Sequence, residues 1–437
     1  MIENKNRPLW LDTVDIKSFP ALDKNIKTDI LIIGGGLSGV LTAHRLKTAG
    51  KEVVLVEASN LGGGITHRTT AFVSAQHDTM YQYLVKDLGF TKAKRYLEAN
   101  IDAVHEYEKL SKEFDFDYQT VDSCFFSKDN LKCIKEEIDI LHKMNFDAKF
   151  VEKIPLPIPI VGGVVFPNQG QMNPLKLINH LCQDLTIYEN TKIIDINQNI
   201  AKTKDFAIKA NKIIICTHFP IYNNILYSTR MYQVRSYVLG IEDNIDLKGT
   251  YTDISKDGLY FRKYHEYLIV GGSDTRTGKS GDGFKKVKSF VESNFPSQEI
   301  KYAWANQDLV TLDNVPYIGR INTFNNDLYV ATGFNLWGMT SSMISACLLT
   351  DLITGKKNRY ETLYKPNRCM LKKQLFNNML ELIKDEMGIN KKRCTHLGCV
   401  LKYNAHEDSW DCPCHGSRFS STGEVLNEPA HHQLKEK

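Results

Sequence analysis

The chain reads as an α/β protein: a parallel-sheet nucleotide-binding domain with an α+β subdomain set into it, followed by a small all-β module. Three observations predict this. An apolar run over Thr28–Ile33, helical periodicity over Leu37–Thr48 and a second apolar run over Glu52–Val56 make a β-α-β unit. Between Tyr232 and Val270 the residues alternate as in antiparallel strands, most clearly over Tyr267–Val270. Four of the ten cysteines fall within the 21 residues Cys394–Cys414.

A length of 437 residues exceeds one ordinary core and suggests two or three domains. Residues 28–358 are assigned to the nucleotide domain and its inserted subdomain, 359–390 to a helical linker with a break near Gly388, and 391–437 to the terminal module. Strand-like runs at Lys212–Cys216 and Leu328–Ala331 lie far from the first two, so the parallel sheet is assembled from distant segments. Residues 72–150 look mostly helical, as in Lys92–Phe114 and Asn130–Met144. Pro155, Pro157 and Pro159 forbid a helix interior and predict an extended connector crossing between the two subdomains.

Composition excludes several classes. Hydrophobic residues make up 42% and charged residues 24%, which suits a globular chain and not a disordered one. A net charge of +4 with scattered lysines gives no basic stripe, so no nucleic-acid partner is expected. Residues 1–19 lack the apolar run of a secretory signal, and a cytoplasmic location is expected. Gly338–Thr354 is apolar but carries Thr340, Ser341, Ser342, Ser345, Thr350 and Asp351, which favours a buried helix over a transmembrane segment. Cys124, Cys133, Cys182, Cys216, Cys347 and Cys369 are dispersed singly and read as free thiols.

Gly34-Gly35-Gly36-Leu37-Ser38-Gly39 is a G-x-G-x-x-G pattern placed directly between the first strand and the helix. Gly34 permits the tight turn, Gly36 lets the backbone approach a pyrophosphate, Gly39 allows close helix-to-strand packing, and the helix N-terminus stabilises the anion. Glu57, 18 positions after Gly39, is placed to accept from a ribose hydroxyl. The region resembles the D-amino-acid-oxidase-like superfamily of FAD-dependent oxidoreductases over roughly residues 28–355. That resemblance implies an FAD-binding Rossmann-like domain of the glutathione-reductase type. It implies FAD contacts from Gly34, Gly36, Ser38, Gly39, Glu57 and, in the run Gly62–Thr66, from Gly64 and Thr66. It adds Gly333, Gly338, Met339 and Thr340 from the late run Ala331–Thr340. Ile215-Cys216-Thr217-His218 departs from the usual small Ala-Thr-Gly.

Cys394-x-His396 and Cys412-x-x-His415 form two loops with 15 residues between His396 and Cys412. Two thiolates and two imidazoles match the ligand set of a 2Fe-2S cluster with mixed coordination; a tetrahedral zinc site, or loops that no longer bind metal, are the alternatives. The loops Cys394–Cys399 and Cys412–Ser417 resemble a Rieske protein. The resemblance implies Cys394 and Cys412 on one iron, His396 and His415 on the other, and a disulfide between Cys399 and Cys414. It places Ser417 where a hydroxyl bonds a cluster sulfur, and Phe419 where many members carry Tyr, which predicts a somewhat lower potential. Only Asp385–Arg393 separates the linker from the first box, so the base of the module looks truncated: the linker replaces it, a neighbouring chain completes it, or the cluster is labile.

The combination resembles a bacterial group in which an amine or amino-acid oxidase-like flavoprotein carries a Rieske domain. A flavin accepts two electrons and releases them singly, and the cluster takes one at a time. The expected function is dehydrogenation of a small-molecule substrate (amine, amino acid or hydroxy acid) with electrons leaving through the cluster to an external one-electron acceptor. The alternatives are an oxygen-using oxidase with a vestigial cluster, or a redox sensor or electron-transfer protein without a substrate. Arg235, Arg262 and Tyr260, with Tyr237, lie in the strand-rich insert, where an Arg can hold a carboxylate in a two-pronged grip. His77, Gln307 and Asp308 are further polar candidates.

Overall fold

The computed structural model describes residues 4–434 apart from 223, 244, 256–257, 280, 296–297, 322–326 and 369–391. The elements that build the site begin with β1 (Ile26–Ile33), α1 (Leu37–Thr48), β2 (Val53–Val56), α2 (Phe90–Leu110), β3 (Gln119–Ser127) and β4 (Gly162–Gln171). Next come β5 (Thr186–Tyr188), β6 (Ala207–Ile215), β7 (Met231–Glu242), β8 (Thr250–Asp253), β9 (Leu259–Tyr264) and β10 (Tyr267–Arg276). β11 (Ile300–Thr311), β12 (Tyr317–Arg320), β13 (Leu328–Thr332) and α3 (Gly338–Thr354) close the large part, and β14 (Lys402–Asn404), β15 (Ser409–Asp411), β16 (Arg418–Ser420) and β17 (Val425–Asn427) form the terminal module.

The first sheet runs β12-β13-β6-β1-β2-β5. Its strands are parallel except β12, which is antiparallel to β13. Ile30–Ile33 and Val53–Val56 are buried throughout, the continuous apolar signature of strands covered on both faces. α1 packs on α3, where Ser38 Oγ meets Ser345 Oγ at 2.7 Å. α3 occupies the apolar stretch read as a buried helix, and among the described residues no helix is long and apolar enough to cross a membrane.

The second sheet runs β11-β7-β10-β9-β8-β3-β4, mostly antiparallel. Residues 72–150 are mostly helical as expected, in Met80–Leu88, Phe90–Leu110 and Leu131–Lys143, but Gln119–Ser127 between them is a strand that gave no sequence signal. Its buried half is only Ser123–Ser127, too short a run to show a period. The proline connector also differs from expectation. The strand Lys149–Val151 pairs antiparallel with β4, so Pro155, Pro157 and Pro159 lie in a loop between neighbouring strands of one sheet and cross no subdomain boundary. Prolines bar a helix but do not set the direction of the chain. Of the expected linker, a short helix at Glu361–Tyr364 is seen, and residues 369–391 lie outside the described residues.

The terminal module is an antiparallel sheet in the order β14-β15-β16-β17. It rests on the face of the second sheet that presents Gln233, Arg235 and Tyr237.

Candidate functional site

β1 ends at Ile33, and the chain turns through Gly34–Gly36 into α1. Gly34 has φ +114°, and a Cβ there would lie 2.5 Å from the Cys216 carbonyl oxygen. A Cβ on Gly39 would lie 1.9 Å from the Gly34 oxygen, so helix and strand close up only over glycine. Thr66 Oγ1 accepts the Leu37 N–H at 3.0 Å. Glu57 accepts from the N–H groups of Gly35 at 2.6 Å and Ser59 at 2.9 Å. These loops converge on the N-terminus of α1 around a cavity of about 400 Å³.

Gly34, Gly36, Ser38, Glu57, Gly64 and Thr66 line this cavity, and Gly333, Gly338 and Met339 line it with them. Gly39 and Thr340, expected with them, stand behind the wall. Gly39 serves the helix–strand contact, and the buried Thr340 hydroxyl donates toward the Ser74 carbonyl at 3.5 Å. Motif spacing does not separate a lining residue from one that packs beneath it. Lys192, His218 and Asp308 also line the cavity, as do Leu426, Asn427 and Glu428 of the terminal module. No sequence signal connects that tail to the glycine turn.

The cavity fits FAD. A Cβ on Gly64 would meet no protein atom within 4 Å, so that side is open for a ligand. His218 Nε2 and Asn306 Oδ1, on lining residues, are buried without a hydrogen-bond partner. The N-terminus of α1 supplies the dipole that a pyrophosphate requires. Glu428 comes close enough to Glu57 and Lys192 to feel both. Burial pushes its carboxyl up to about 7, with Lys192 opposing and Glu57 adding.

A second cavity of about 410 Å³ meets the first at Thr69, Asn306, Leu336, Gly338 and Met339. One face of the second sheet forms its floor, with Ser236 opposite Asn306 and Thr252 opposite Tyr260. Tyr260 is thus on the cavity wall, and its ring crosses Gly271, where a Cβ would lie 2.0 Å from ring carbon.

Contrary to expectation, neither Arg235 nor Arg262 lines this cavity. Arg262 is buried and donates to the carbonyls of Thr70 at 2.8 Å and of Ala71 and Met172 at 3.1 Å, so it ties its own strand to two other chain segments. Burial pulls its guanidinium down to about 9. Arg235 adjoins Ser236 on β7 and therefore points to the opposite face, where it grips Glu407. The Tyr237 hydroxyl, on that same face, donates to Glu407 at 3.3 Å. Arg68 lines the cavity instead, with Nη1 3.3 Å from the Ala305 carbonyl oxygen. Its position two residues after Thr66, in a loop already assigned to the cofactor, was the available signal.

His77 is buried, bonded to Tyr96 and the Ser74 carbonyl at 2.9 Å and stacked on Trp337, and burial pushes it down to about 3. Its role is to hold the wall. Asp308 lines the flavin cavity, and burial raises it to about 6. Gln307 between Asn306 and Asp308 faces away, donating to the Gly416 carbonyl at 2.9 Å.

In the terminal module the His396 and His415 rings stand 5.2 Å apart, centroid to centroid. Both nitrogens of His396 and Nδ1 of His415 are buried with no hydrogen-bond partner. Burial pushes His396 down to about 4 and His415 to about 3, which keeps both imidazoles in the neutral, metal-binding form. The Cys394 and Cys412 thiols adjoin one another. Buried, unpartnered imidazoles beside two thiols fit a cluster with mixed ligands. Cys399 and Cys414 form a disulfide, and the sulfurs of Cys399, Cys412 and Cys414 lie within 4.8 Å of one another. Ser417 Oγ accepts the Ala430 N–H at 3.1 Å, and its own proton is directed at Cys394. Phe419 is buried and pairs across the strands with Trp410.

The linker expected to support the module's short base falls largely in residues 369–391, outside the described residues; among the described residues the module leans on β7 and β11. Arg235 Nε donates to Glu407 Oε2 at 2.6 Å, and Arg418 reaches Glu407 at 3.3 Å and Asp411 at 2.9 Å. Gln233 Nε2 donates to the carbonyls of His415 and Glu428, each at 2.9 Å. Pro413 closes on Gly278, where a Cβ would lie 2.5 Å from the proline nitrogen.

A dinucleotide cavity joined to a substrate-sized cavity, with a thiol–imidazole module on the reverse of their shared sheet, defines a flavoprotein oxidoreductase with a built-in iron–sulfur carrier. The chain belongs to the FAD dependent oxidoreductase family, whose model matches residues 29–352, and a Rieske [2Fe-2S] domain model matches residues 359–436. The Rieske 2Fe-2S iron-sulfur protein YhfW of Bacillus subtilis is 32% identical over 98% of this chain and 96% of its own. Gamma-glutamylputrescine oxidoreductase of Escherichia coli is 20% identical over 78% of this chain and 87% of its own. Glycine oxidase from Geobacillus kaustophilus shares the fold with a TM-score of 0.69 at 16% identity, over 79% of this chain and all of that one.

Proposed function

We propose that the protein oxidises a small amine or amino acid at its C–N bond and passes the electrons through the cluster to an external one-electron acceptor. One observation carries this reading. Along β11, Asn306 and Asp308 line the flavin cavity while Gln307 between them bonds the carbonyl next to cluster ligand His415. Alternation on the strand turns Asn306 and Asp308 to one face and Gln307 to the other, which supports electron passage between the cavity and the module.

When bound, FAD supplies the two-electron acceptor and the cluster a one-electron carrier. As the C–N single bond becomes C=N, the donor gives up two electrons and two protons. Water then adds to the imine and releases a carbonyl compound and ammonia or an amine. The external acceptor takes the electrons in two single steps. Tyr260, with Ser236 and Asp274 beside it, orients the donor from the sheet side, and Trp337 and Phe72 exclude water. A relative named for oxidation of gamma-glutamylputrescine supports a nitrogen donor.

Anaerobic titration of the holoprotein with amines and amino acids tests the reading. Bleaching of flavin and cluster bands together is expected. Bleaching of flavin alone would favour an oxidase with an idle cluster, and bleaching of neither would favour a sensor.

A further inference from the structure

We propose that the cavity beside the flavin site is built for a substrate with a second, protonated amino group, a diamine or an amino acid with a cationic side chain, held between Asp78 and Asp274. The proposal rests on the oxidoreductase reading above and names its substrate class.

Four charged side chains line the cavity: Arg68, Asp78, Asp253 and Asp274. Asp253 is already satisfied, with Lys128 Nζ at 2.8 Å and the Ser255 N–H at 2.8 Å. Arg68 lies in the field of Arg235, Glu407 and Arg418 across the sheet. Asp78 and Asp274 differ from both. Among the described residues neither has a cationic partner: Asp78 accepts from the Gln76 amide at 3.2 Å, and Asp274 has the Ser236 hydroxyl. Asp274 is exposed and lines the cavity, and Asp78 beside it is half-buried. Burial raises Asp78 to about 7, with Asp274 and Asp253 adding, and raises Asp274 to about 6.

Two neighbouring carboxyls with no cation repel one another when ionised, and a ligand cation between them relieves that repulsion. An ammonium supplies the missing charge and up to three N–H donors. Thr252, nine-tenths buried on the same lining, has a hydroxyl with no hydrogen-bond partner, and Asn306 Oδ1 is likewise unpartnered. Both stand ready to accept. Phe72, Tyr260 and Trp337 offer aromatic surface to a methylene chain and its cationic end. A neutral amine would enter the same space and leave both carboxyls unpaired.

The test uses the full-length holoprotein under anaerobic conditions. Flavin reduction is followed with 1,4-diaminobutane and lysine, against 1-aminobutane and norleucine. The dications are expected to give a kcat/KM about 10- to 100-fold higher, the range of one charged hydrogen-bonded contact. D274N and D78N are each expected to bring that ratio within about 3-fold of unity. Binding is read separately as perturbation of the oxidised flavin spectrum by 1,4-diaminobutane. Equal reduction by the monoamines overturns the substrate class and leaves the enzyme reading standing. A ratio that survives in both variants overturns the assigned carboxyls. Perturbation that depends on Asp274, without reduction by any amine, supports the site and overturns the oxidoreductase reading. Neither perturbation nor reduction overturns the proposal.

Discussion

Glu407 of the cluster module takes both prongs of the Arg235 guanidinium, with Nε 2.6 Å from Oε2. Each side chain is only 8% exposed. Burial works against the charge on Glu407, but the hydrogen bonds and charge of Arg235, aided by Arg418, outweigh it and hold the carboxyl below its usual range. Removing one partner strands the other, at a cost of about 3–5 kcal/mol. Glu407→Gln is therefore expected to loosen the module while flavin stays bound. Limited proteolysis and the rate of cluster bleaching after flavin reduction check this, and a variant as protected and as fast as the parent would refute the role given to the pair.

The tail of the module closes the nucleotide cavity. Glu428 lines it beside Glu57, held there by Gln233 through its carbonyl. Glu428→Ala is expected to weaken FAD binding about 3- to 10-fold, the scale of one hydrogen bond lost from a buried site. Flavin fluorescence on dilution measures it. Unchanged affinity would reduce the tail to a neighbour of the cofactor.

Two glycines separate packing from lining. A Cβ on Gly39 would lie 1.9 Å from a backbone oxygen, whereas one on Gly64 would meet nothing within 4 Å. Gly39→Ala should cost about 3 kcal/mol or more by overpacking and cut the soluble yield. Gly64→Ala should fold and lose FAD occupancy, read from the ratio of flavin to protein absorbance.

His415 offers a buried, unpartnered Nδ1 to the cluster. His415→Ala should remove the cluster and its electron paramagnetic resonance signal while flavin remains bound. Iron and sulfide retained at parental levels would show that the ligand set is otherwise.

Asp78 and Asp274, raised to about 7 and about 6, set a pH dependence. The groups around them are Asp253 with its Lys128, Asp308 and Tyr260, with Arg68 on the same lining. Because the folded values lie above those of free carboxyls, the folded chain holds these protons between about pH 4 and 7, and the stability they contribute is lost as pH rises through that window. A cation must displace the protons, so affinity for 1,4-diaminobutane should rise from pH 5 to 7, by up to about tenfold per pH unit for each proton displaced, and then level. Titration of the flavin spectrum at several pH values reads it. A flat profile would remove the two carboxyls from the binding step.

Much of this was legible in the chain. The turn Gly34–Gly39 sits between β1 and α1 with Glu57 just after β2, and the two boxes at Cys394–Cys399 and Cys412–Ser417 bring their imidazoles together. These are local signals, in which ligand spacing within a loop fixes what the loop can hold. Arg235 and Arg262 were misplaced for the opposite reason. Composition puts an arginine on a strand, but only pairing and the packing around it decide which face meets a cavity. The partner of Arg235 lies 172 residues away.

The amino-acid sequence by itself determined the two redox sites, because each is written in short motifs whose backbone demands a few neighbouring residues satisfy. Tertiary structure alone decided how they are joined. Strand parity on β7 and β11 turns Gln233, Arg235 and Gln307 toward the cluster module and Ser236, Asn306 and Asp308 toward the cavities. A shift of one residue in either strand would exchange those faces, and register depends on pairing between distant segments, which no local pattern records.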